Sequence, residues 1–298
     1  MTDKEVRESR KPVVVIIGGG FAGIKAARAL KGSNAEIILI DRRNHHIFQP
    51  LLYQVATAFL SPADIAAPIR QIEETQANVS VALAEVTGID VASQTVSVYA
   101  ENAGTRTLSF DYLVVATGAQ STYFGHDEFA EFAPSLKTLA DAEEIRAKIL
   151  RGYEIATVTA DPAERSRQLT FAIVGGGPTG VELAASLATM ARDTLRGNFR
   201  GIDPSQSKIV LIEAGKRVLP QFHESLAAKA VKHLESLGVQ ILTASSVEHV
   251  DARGLVVNGN RIEAATVLWA AGVAVSPILK MLGAPTDRGG RVIPATRA

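Results

Sequence analysis

The chain has 298 residues with equal numbers of basic and acidic ones, 31 of each, so its formal net charge is zero. Hydrophobic residues make up 47% and charged residues 21%, which is typical of a globular protein and excludes a disordered or fibrous chain. A neutral chain has no global attraction to nucleic acid or anionic lipid. The length predicts one large domain or two medium ones.

The chain contains no cysteine. This excludes disulfides, thiolate zinc sites, iron–sulfur clusters and cysteine redox relays, so any redox chemistry must come from a bound cofactor. The polar segment Met1–Lys11 lacks the apolar core of a signal peptide. No stretch reaches the roughly 18 apolar residues of a membrane-spanning helix. We therefore expect a cytoplasmic protein that touches a membrane only peripherally.

The first predicted elements form a parallel βαβ unit. A β-branched run at 13–17 predicts a buried strand, and the glycine-rich turn 18–23 follows it. Helical spacing predicts a helix over 24–30. A second strand at 36–40 ends at Asp41.

The same pattern occurs again later in the chain. A strand is predicted at 170–174, a glycine turn at 175–180, a long helix at 181–195 and a strand at 208–212, which ends at Glu213. The two turns begin 157 residues apart (175 − 18), which is too far for a solenoid repeat and indicates a duplicated domain.

Further elements complete each copy. The stretch 79–115 is rich in predicted strands, and its last apolar strand runs into a turn of small residues ending at Gly118. The second copy closes in the same way at 266–272. A helix predicted over 139–154 and a charged loop at 161–168 join the copies, and this loop is the predicted domain boundary.

The first turn has the glycine spacing of a dinucleotide-binding motif. Gly18 permits the tight turn, Gly20 allows the backbone to approach a pyrophosphate, and Gly23 allows the helix to pack against the strand. The helix N-terminus attracts the phosphates. Asp41 is then placed to accept hydrogen bonds from ribose hydroxyls. A glycine run alone is often only a turn, but here strand, helix and carboxylate all follow.

The second turn repeats the motif at Gly175, Gly177 and Gly180. The carboxylate, Glu213, follows 38 residues after the first glycine (213 − 175), and a longer helix and loop account for the extra length. Its charge favours NADH because it repels the 2′-phosphate of NADPH. The basic pair 216–217 lies near enough to weaken that preference.

Two such motifs in one chain suggest that one cofactor passes electrons to the other, as a nicotinamide does to a flavin. The alternative is one functional site beside a degenerate copy. Glu182, predicted in the first turn of the second helix, has two interpretations. It either complements the helix dipole or faces the nicotinamide or an acceptor.

The segment Asn44–Thr57, which reads NHHIFQPLLYQVAT, narrows the function further. It resembles the stretch after the second strand in type II NADH dehydrogenase, the single-subunit NADH:quinone oxidoreductase. The segments Ser61–Ile65 and Gly175–Ala184 are similar to the same family. The resemblance extends from about Pro12 to about Gly290, and it is most specific around Pro50.

The resemblance implies an α/β fold with two Rossmann-like dinucleotide-binding domains of the glutathione-reductase type, the second inserted in the first. The expected FAD domain is 12–125, with 273–298 returning to it. A connecting helix and loop at 126–168 precede the expected NADH domain at 169–272.

The family also implies roles for individual residues. Those expected to bind FAD are Gly18, Gly20, Phe21, Gly23, Asp41, Gln49, Pro50, Val86, Thr117 and Gly118. Those expected to bind NADH are Gly175, Gly177, Thr179, Gly180, Glu213, Ala271 and Gly272. Gln49 and Pro50 are expected near the flavin, and Ala271 and Gly272 near the nicotinamide. The family's functional glutamate matches Glu182, which favours the catalytic interpretation of that residue.

The implied activity is respiratory and does not pump protons: hydride passes from NADH to FAD, and two electrons then pass to a quinone. The missing cysteines separate the chain from disulfide reductases and sulfide:quinone reductases. No metal site is expected, because His45 and His46 are adjacent, His223 and His233 are ten apart, and all four suit a solvent-facing position.

The family continues beyond this chain with a flavin-contacting Gly-Asp, a quinone pocket and membrane-binding amphipathic helices. The last residues, Pro294–Ala298, lack the Gly-Asp. The chain is therefore interpreted as a fragment or as a shortened form with impaired flavin binding, and apolar positions at 267–275 are expected to be partly uncovered. A full-length chain with that anchor would sit on the cytoplasmic face of the inner membrane, and a homodimer is a candidate assembly.

Two other functions stay open at this point. A reductase with the same cofactors would pass electrons to a small redox protein or to oxygen. A non-catalytic remnant would bind nucleotides without turnover.

Overall fold

The structure is a computed structural model that describes residues 10–293. Its helices are α1 (Phe21–Ala29), α2 (Leu52–Ala56), α3 (Pro62–Ile65), α4 (Gln71–Thr75), α5 (Leu139–Val158), α6 (Pro162–Gln168), α7 (Pro178–Thr189) and α8 (Glu224–Ser236). Its strands are β1 (Val13–Ile17), β2 (Glu36–Asp41), β3 (His45–Ile47), β4 (Ala66–Pro68), β5 (Val79–Leu83), β6 (Glu85–Asp90), β7 (Thr95–Ala100), β8 (Gly104–Ser109), β9 (Tyr112–Val115), β10 (Ala119–Ser121), β11 (Thr170–Val174), β12 (Lys208–Ile212), β13 (Gln240–Leu242), β14 (Val247–Asp251), β15 (Gly254–Val257), β16 (Asn260–Glu263), β17 (Thr266–Trp269) and β18 (Val273–Val275).

Residue packing divides the chain into two compact units. The first unit contains the described parts of Met1–Ile47, Ala66–Gln120 and Ala274–Ala298, and the second contains Phe48–Ile65 and Ser121–Val273. The segment 48–65 and the helix α5 therefore pack within the second unit. The predicted domains are defined by the cofactor that each is expected to bind, so their boundaries stay a prediction. Residues 294–298 of the expected returning segment lie outside the described part of the chain.

The first unit is built on a parallel four-stranded sheet in the order β5-β2-β1-β9. Alternate residues of β1 face two different cores. Val14 and Ile16 pack with residues of α1 and α4, whereas Val15 and Ile17 pack with the antiparallel β6-β7-β8 sheet. Both faces of β1 are thus covered, which explains its unbroken apolar sequence.

The second unit repeats the parallel sheet in the order β13-β12-β11-β17 and adds an antiparallel sheet, β14-β15-β16. All five residues of β11 are buried. Trp269, at the end of β17, lies 5.0 Å from the ring of Tyr123 and 6.0 Å from that of Phe129, and its indole N–H donates to Thr122 O at 2.9 Å. This aromatic cluster fills the core between the two sheets.

Several helix bounds differ from those predicted. Helices α1 and α7 each begin three residues earlier than expected, at Phe21 and Pro178, because the chain becomes helical immediately after the middle glycine of each turn. Helix α7 ends at Thr189 and a π-helical turn follows it.

The predicted charged loop at 161–168 is wrong, because these residues form α6. Asp161 Oδ1 caps the helix by accepting from Ala163 N at 2.9 Å, and Pro162 occupies the first helical position. Glu164 and Arg167 then form an ion pair one turn apart at 2.7 Å. These are standard helix-starting signals, and they outweigh the high charge of the segment.

The expectation of uncovered apolar residues is also mostly wrong. Val267, Leu268 and Trp269 are between 0% and 5% exposed, because β17 is covered by the aromatic cluster and by α5. Val273 is 67% exposed. Among residues 10–293, no helix combines the length and apolar character needed to cross a bilayer.

Candidate dinucleotide-binding sites

The two glycine turns have nearly the same backbone conformation. The first glycine of each turn lies in the left-handed region, with φ of +105° at Gly18 and +113° at Gly175. A Cβ at Gly18 would overlap the carbonyl of Ala116, and a Cβ at Gly175 would come within 2.7 Å of the carbonyl carbon of Ala270. Each first glycine is therefore required by φ and by the close approach of the last parallel strand.

The third and middle glycines differ in what surrounds them. A Cβ at Gly23 or Gly180 would overlap the carbonyl oxygen of the first glycine in the same turn. By contrast, a Cβ at Gly20 or Gly177 would meet nothing within 4 Å. The middle glycines have φ of −75° and extended ψ, which any residue can adopt. The fold therefore requires the outer glycines, whereas the middle ones leave open space at the start of each helix.

A carboxylate holds each turn from the end of the neighbouring strand. Asp41 Oδ2 accepts a hydrogen bond from Gly19 N at 2.6 Å, and Glu213 Oε2 accepts one from Gly176 N at 2.6 Å. Both bonds are short, as is usual for charged acceptors. The carboxylates were predicted from ribose binding alone, and the structure adds that each one fixes its own glycine turn.

The second oxygen of each carboxylate is held in the loop that follows it. Asp41 Oδ1 accepts from Arg43 N at 2.8 Å, and Glu213 Oε1 accepts from Gly215 N at 2.7 Å. Each carboxylate is thus fixed from two sides. Because a carboxylate oxygen has more than one lone pair, acceptor capacity remains for further donors such as hydroxyl groups.

Two histidines near the first turn are not solvent-facing, contrary to expectation. His223 and His233 are exposed, but His45 and His46 are half-buried. His46 Nδ1 lies 3.2 Å from Gly19 O, and its ring makes an edge contact with the Phe21 ring at 4.9 Å. The place of His46 in the sequence does not predict these contacts. In residues 10–293, no three His, Asp or Glu side chains are grouped to hold a metal ion.

The small residues after the last parallel strands lie at matching positions. Ala116 N, just before Thr117, donates to Ile17 O at 2.7 Å, and Ala270 N, just before Ala271, donates to Val174 O at 2.8 Å. The next residues, Gly118 and Gly272, have φ of +67° and +72°. A Cβ at Gly118 would meet nothing within 4 Å, whereas one at Gly272 would come within 2.7 Å of Thr122 O and of the Phe124 ring and would overlap both.

The remaining predicted FAD residues lie in different surroundings. Val86 is buried in β6 opposite Val98, with its side chain in the core of the first unit. Gln49 and Pro50 are exposed in a 3₁₀ turn at Gln49–Leu51, which belongs to the second unit. Their roles toward a flavin stay predictions.

Glu182 lies in the second turn of α7, and not in the first as predicted, because the helix begins at Pro178. This removes most of the helix-dipole interpretation, since that effect is confined to the first turn. The side chain reaches solvent, yet partial burial raises the pKa of its carboxyl above the ordinary value. Thr179, at the start of the same helix, is half-buried.

A buried hydroxyl pair joins the segment 48–65 to α7 within the second unit. Thr57 Oγ1 and Ser186 Oγ lie 2.6 Å apart, with Thr57 1% and Ser186 9% exposed. Thr57 Oγ1 also donates to Tyr53 O at 2.7 Å, so the hydroxyl of Ser186 supplies the proton between the pair. Nothing in the local sequence indicated this contact across 129 residues.

The first unit also contains buried polar atoms without a protein partner. Arg43 Nη1 and His45 Nε2 both lie just after Asp41 and are buried with no hydrogen-bond partner. Buried polar groups in folded proteins almost always have partners. These unpartnered atoms, like the open space at Gly20, fit a polar ligand bound to the first unit.

Comparison with known proteins identifies the family. The pattern of the pyridine nucleotide-disulphide oxidoreductase family matches residues 12–296. The chain is 48% identical over 290 residues to the type II NADH:quinone oxidoreductase NdhA of Mycobacterium tuberculosis, covering 94% of this chain and 62% of that protein. It is 32% identical to the external alternative NADH-ubiquinone oxidoreductase of Yarrowia lipolytica, covering 97% of this chain and 53% of that one.

A solved structure is similar as well. NDH2 from Plasmodium falciparum in complex with NADH superimposes with a TM-score of 0.84 at 26% identity, covering 91% of this chain and 57% of that one. The chain thus spans about three fifths of the length of these relatives. The similarities confirm the predicted resemblance and the predicted α/β fold with dinucleotide-binding domains. The chain belongs to the pyridine nucleotide-disulphide oxidoreductase family.

Proposed function

We propose that the chain binds FAD at the first glycine turn and NADH at the second, and that it oxidises NADH and reduces a quinone. The observation that carries this proposal is the pair of matched turns, each with an open middle glycine and a fixed carboxylate. The NdhA and Yarrowia relatives are named as NADH:quinone and NADH-ubiquinone oxidoreductases. The Plasmodium relative was solved with NADH.

The backbone of each turn would bind the pyrophosphate. Gly20 and Gly177 are the N-cap residues of α1 and α7, and neither helix start is capped by a side chain. The first N–H groups of a helix have no acceptor within the helix, and the dipole favours an anion there. The open space at each middle glycine allows a phosphate to approach these donors.

The carboxylates would select the ribose. Asp41 and Glu213 are fixed by backbone N–H groups, and each retains acceptor capacity for ribose hydroxyls. The charge of Glu213 opposes a 2′-phosphate. Arg217 keeps its positive charge, but its guanidinium is held in place because it donates to Pro220 O at 2.7 Å and to Phe222 O at 3.0 Å. Two of its donor groups are therefore already used and are not available to a 2′-phosphate. A preference for NADH over NADPH follows.

Bound FAD would accept hydride from NADH and pass two electrons to the acceptor. The groups of this chain would bind and orient the rings. Thr117 and Gly118 would line the flavin side, and Ala271 and Gly272 the nicotinamide side. Small residues suit this role because they allow close approach. Glu182, whose carboxyl pKa is raised by burial, is the proposed catalytic residue, and the exposed turn at 49–51 is proposed to lie near the flavin.

The acceptor is proposed on the names of the relatives, and the location and the assembly are proposed on the family resemblance alone. Quinone would be the acceptor, and a full-length protein would bind the cytoplasmic face of the inner membrane peripherally. A homodimer is proposed as the assembly. The domain boundaries 12–125, 126–168 and 169–272 are proposed for the FAD domain, the connection and the NADH domain.

Reconstitution with FAD tests the proposed function. The purified chain is incubated with FAD, freed of excess, and titrated anaerobically with NADH before a water-soluble quinone is added. We expect flavin absorbance that NADH bleaches and quinone restores. A chain that binds NADH by calorimetry but takes up no FAD would support a nucleotide-binding remnant. If the bleached flavin is reoxidised by oxygen or by a redox protein but not by quinone, the proposed acceptor is wrong.

A further inference from the structure

The carbonyl group of the second glycine is held differently in the two turns. In the second unit, Gly176 O accepts from the backbone N–H of Leu219 at 2.7 Å. In the first unit, Gly19 O lies 3.2 Å from the side chain of His46, at Nδ1. The same carbonyl is thus held by backbone in one copy and by a side chain in the other.

The chemistry of this contact fixes the state of the histidine. A carbonyl oxygen can only accept, so His46 Nδ1 must carry the hydrogen. The neutral ring is therefore the Nδ1–H tautomer. The edge contact between this ring and Phe21, the first residue of α1, further restricts its orientation.

Holding Gly19 O also orients the next N–H group. A trans peptide is planar, so the carbonyl of Gly19 and the N–H of Gly20 point in opposite directions across one rigid unit. Asp41 holds the N–H of Gly19 on the preceding peptide. With His46 on the carbonyl, both peptide planes at Gly19 are fixed, and the Gly20 N–H is directed away from the histidine.

We propose that His46 is a positioning residue for the FAD pyrophosphate and acts through the Gly19–Gly20 peptide. The inference rests on the proposed binding of FAD at the first turn. It predicts that substitution of His46 weakens the binding of FAD but not that of NADH. Substitution of one side chain disturbs the first turn, whereas the second turn has a backbone donor at the same carbonyl.

Two variants separate the donor from the ring. His46→Phe keeps an aromatic ring against Phe21 but has no donor. His46→Asn removes the ring but places an amide N–H close to the position of Nδ1. The FAD dissociation constant is measured by recovery of flavin fluorescence, NADH affinity by calorimetry, and stability by the melting temperature of the FAD-free chain.

We expect H46F to weaken FAD binding about tenfold, which corresponds to one net hydrogen bond. H46N is expected to restore the affinity to within about threefold of the original protein, and NADH affinity is expected to be unchanged in both variants. Equal FAD affinity in H46F and the original protein would overturn the proposal. The proposal would also be overturned if H46F and H46N both lost FAD affinity in proportion to the fall in their melting temperatures, since the role of His46 would then be structural.

The original protein separates failure of this inference from failure of the proposed function. If it takes up FAD and H46F does so equally well, only the role of His46 is wrong. If the original protein takes up no FAD, the proposed function is wrong, and the inference fails with it.

Discussion

Replacing the middle glycine of either turn with alanine separates cofactor binding from folding. A Cβ at Gly20 or Gly177 would meet nothing within 4 Å, and φ at both positions is −75°. Alanine is a poorer N-cap than glycine by up to about 1 kcal/mol. It also reduces the entropy of the unfolded chain by about 0.4–1 kcal/mol. These effects oppose each other, so the melting temperature should change by no more than about 3 °C.

The new methyl group would nevertheless occupy the space that a pyrophosphate needs. Loss of one hydrogen bond to a charged phosphate costs about 1.5–3 kcal/mol, which is roughly a 10- to 100-fold loss of affinity. We therefore expect Gly20→Ala to weaken FAD binding by that factor and leave NADH binding unchanged. Gly177→Ala is expected to do the reverse.

Flavin retention and calorimetry with NADH measure the two affinities, and thermal melting of the cofactor-free chain measures folding. Gly180→Ala is the contrasting control, because its Cβ would overlap the carbonyl oxygen of Gly175. Overpacking of this kind costs about 1–3 kcal/mol, so that variant should melt at a lower temperature. The reasoning would be refuted if G20A and G177A melted like G180A, or if each reduced the affinity for both cofactors equally.

Three further predictions concern the second unit. Thr57→Val should destabilise the chain by about 1–3 kcal/mol because it leaves the Ser186 hydroxyl buried without its partner. In denaturant titrations the double variant T57V/S186A should be more stable than T57V, and strict additivity would contradict the pairing. Because burial raises the Glu182 pKa, ionisation costs stability as pH rises above the unfolded value of 4.5. Glu182→Gln should therefore raise the melting temperature at pH 7 but not at pH 3, and an equal change at both would contradict the burial effect. Asp161→Ala should cost about 0.5–2 kcal/mol through loss of the α6 cap, whereas Asp161→Asn should retain most of it.

The parallel strands next to the turns were predictable because their signal is local. The runs at 13–17, 170–174 and 208–212 coincide with β1, β11 and β12. A strand buried on both faces needs an unbroken apolar sequence, and the following glycines mark where it ends. The paired motif therefore predicted both turns and the central strands of both parallel sheets from sequence alone, but not the edge strand β13.

Other features depend on contacts that the local sequence does not reveal. The segment 48–65 follows the first βαβ unit in sequence, yet it packs in the second unit, where Thr57 meets Ser186. The contact between His46 and Gly19 forms because the segment after β2 returns to the glycine turn. The helix α6 is a different case, because its Asp161–Pro162 start is local and readable from the sequence. The prediction of a loop gave more weight to the charge of the segment than to these helix-starting residues.

The most direct test of the account is the anaerobic absorbance spectrum of the FAD-treated chain before and after addition of NADH. The account predicts that oxidised flavin stays with the protein through gel filtration and that its absorbance near 450 nm disappears when NADH is added. A colourless protein, or a bound flavin that stays oxidised while calorimetry shows NADH to be bound, would contradict the claim that the two turns hold an electron donor and its acceptor.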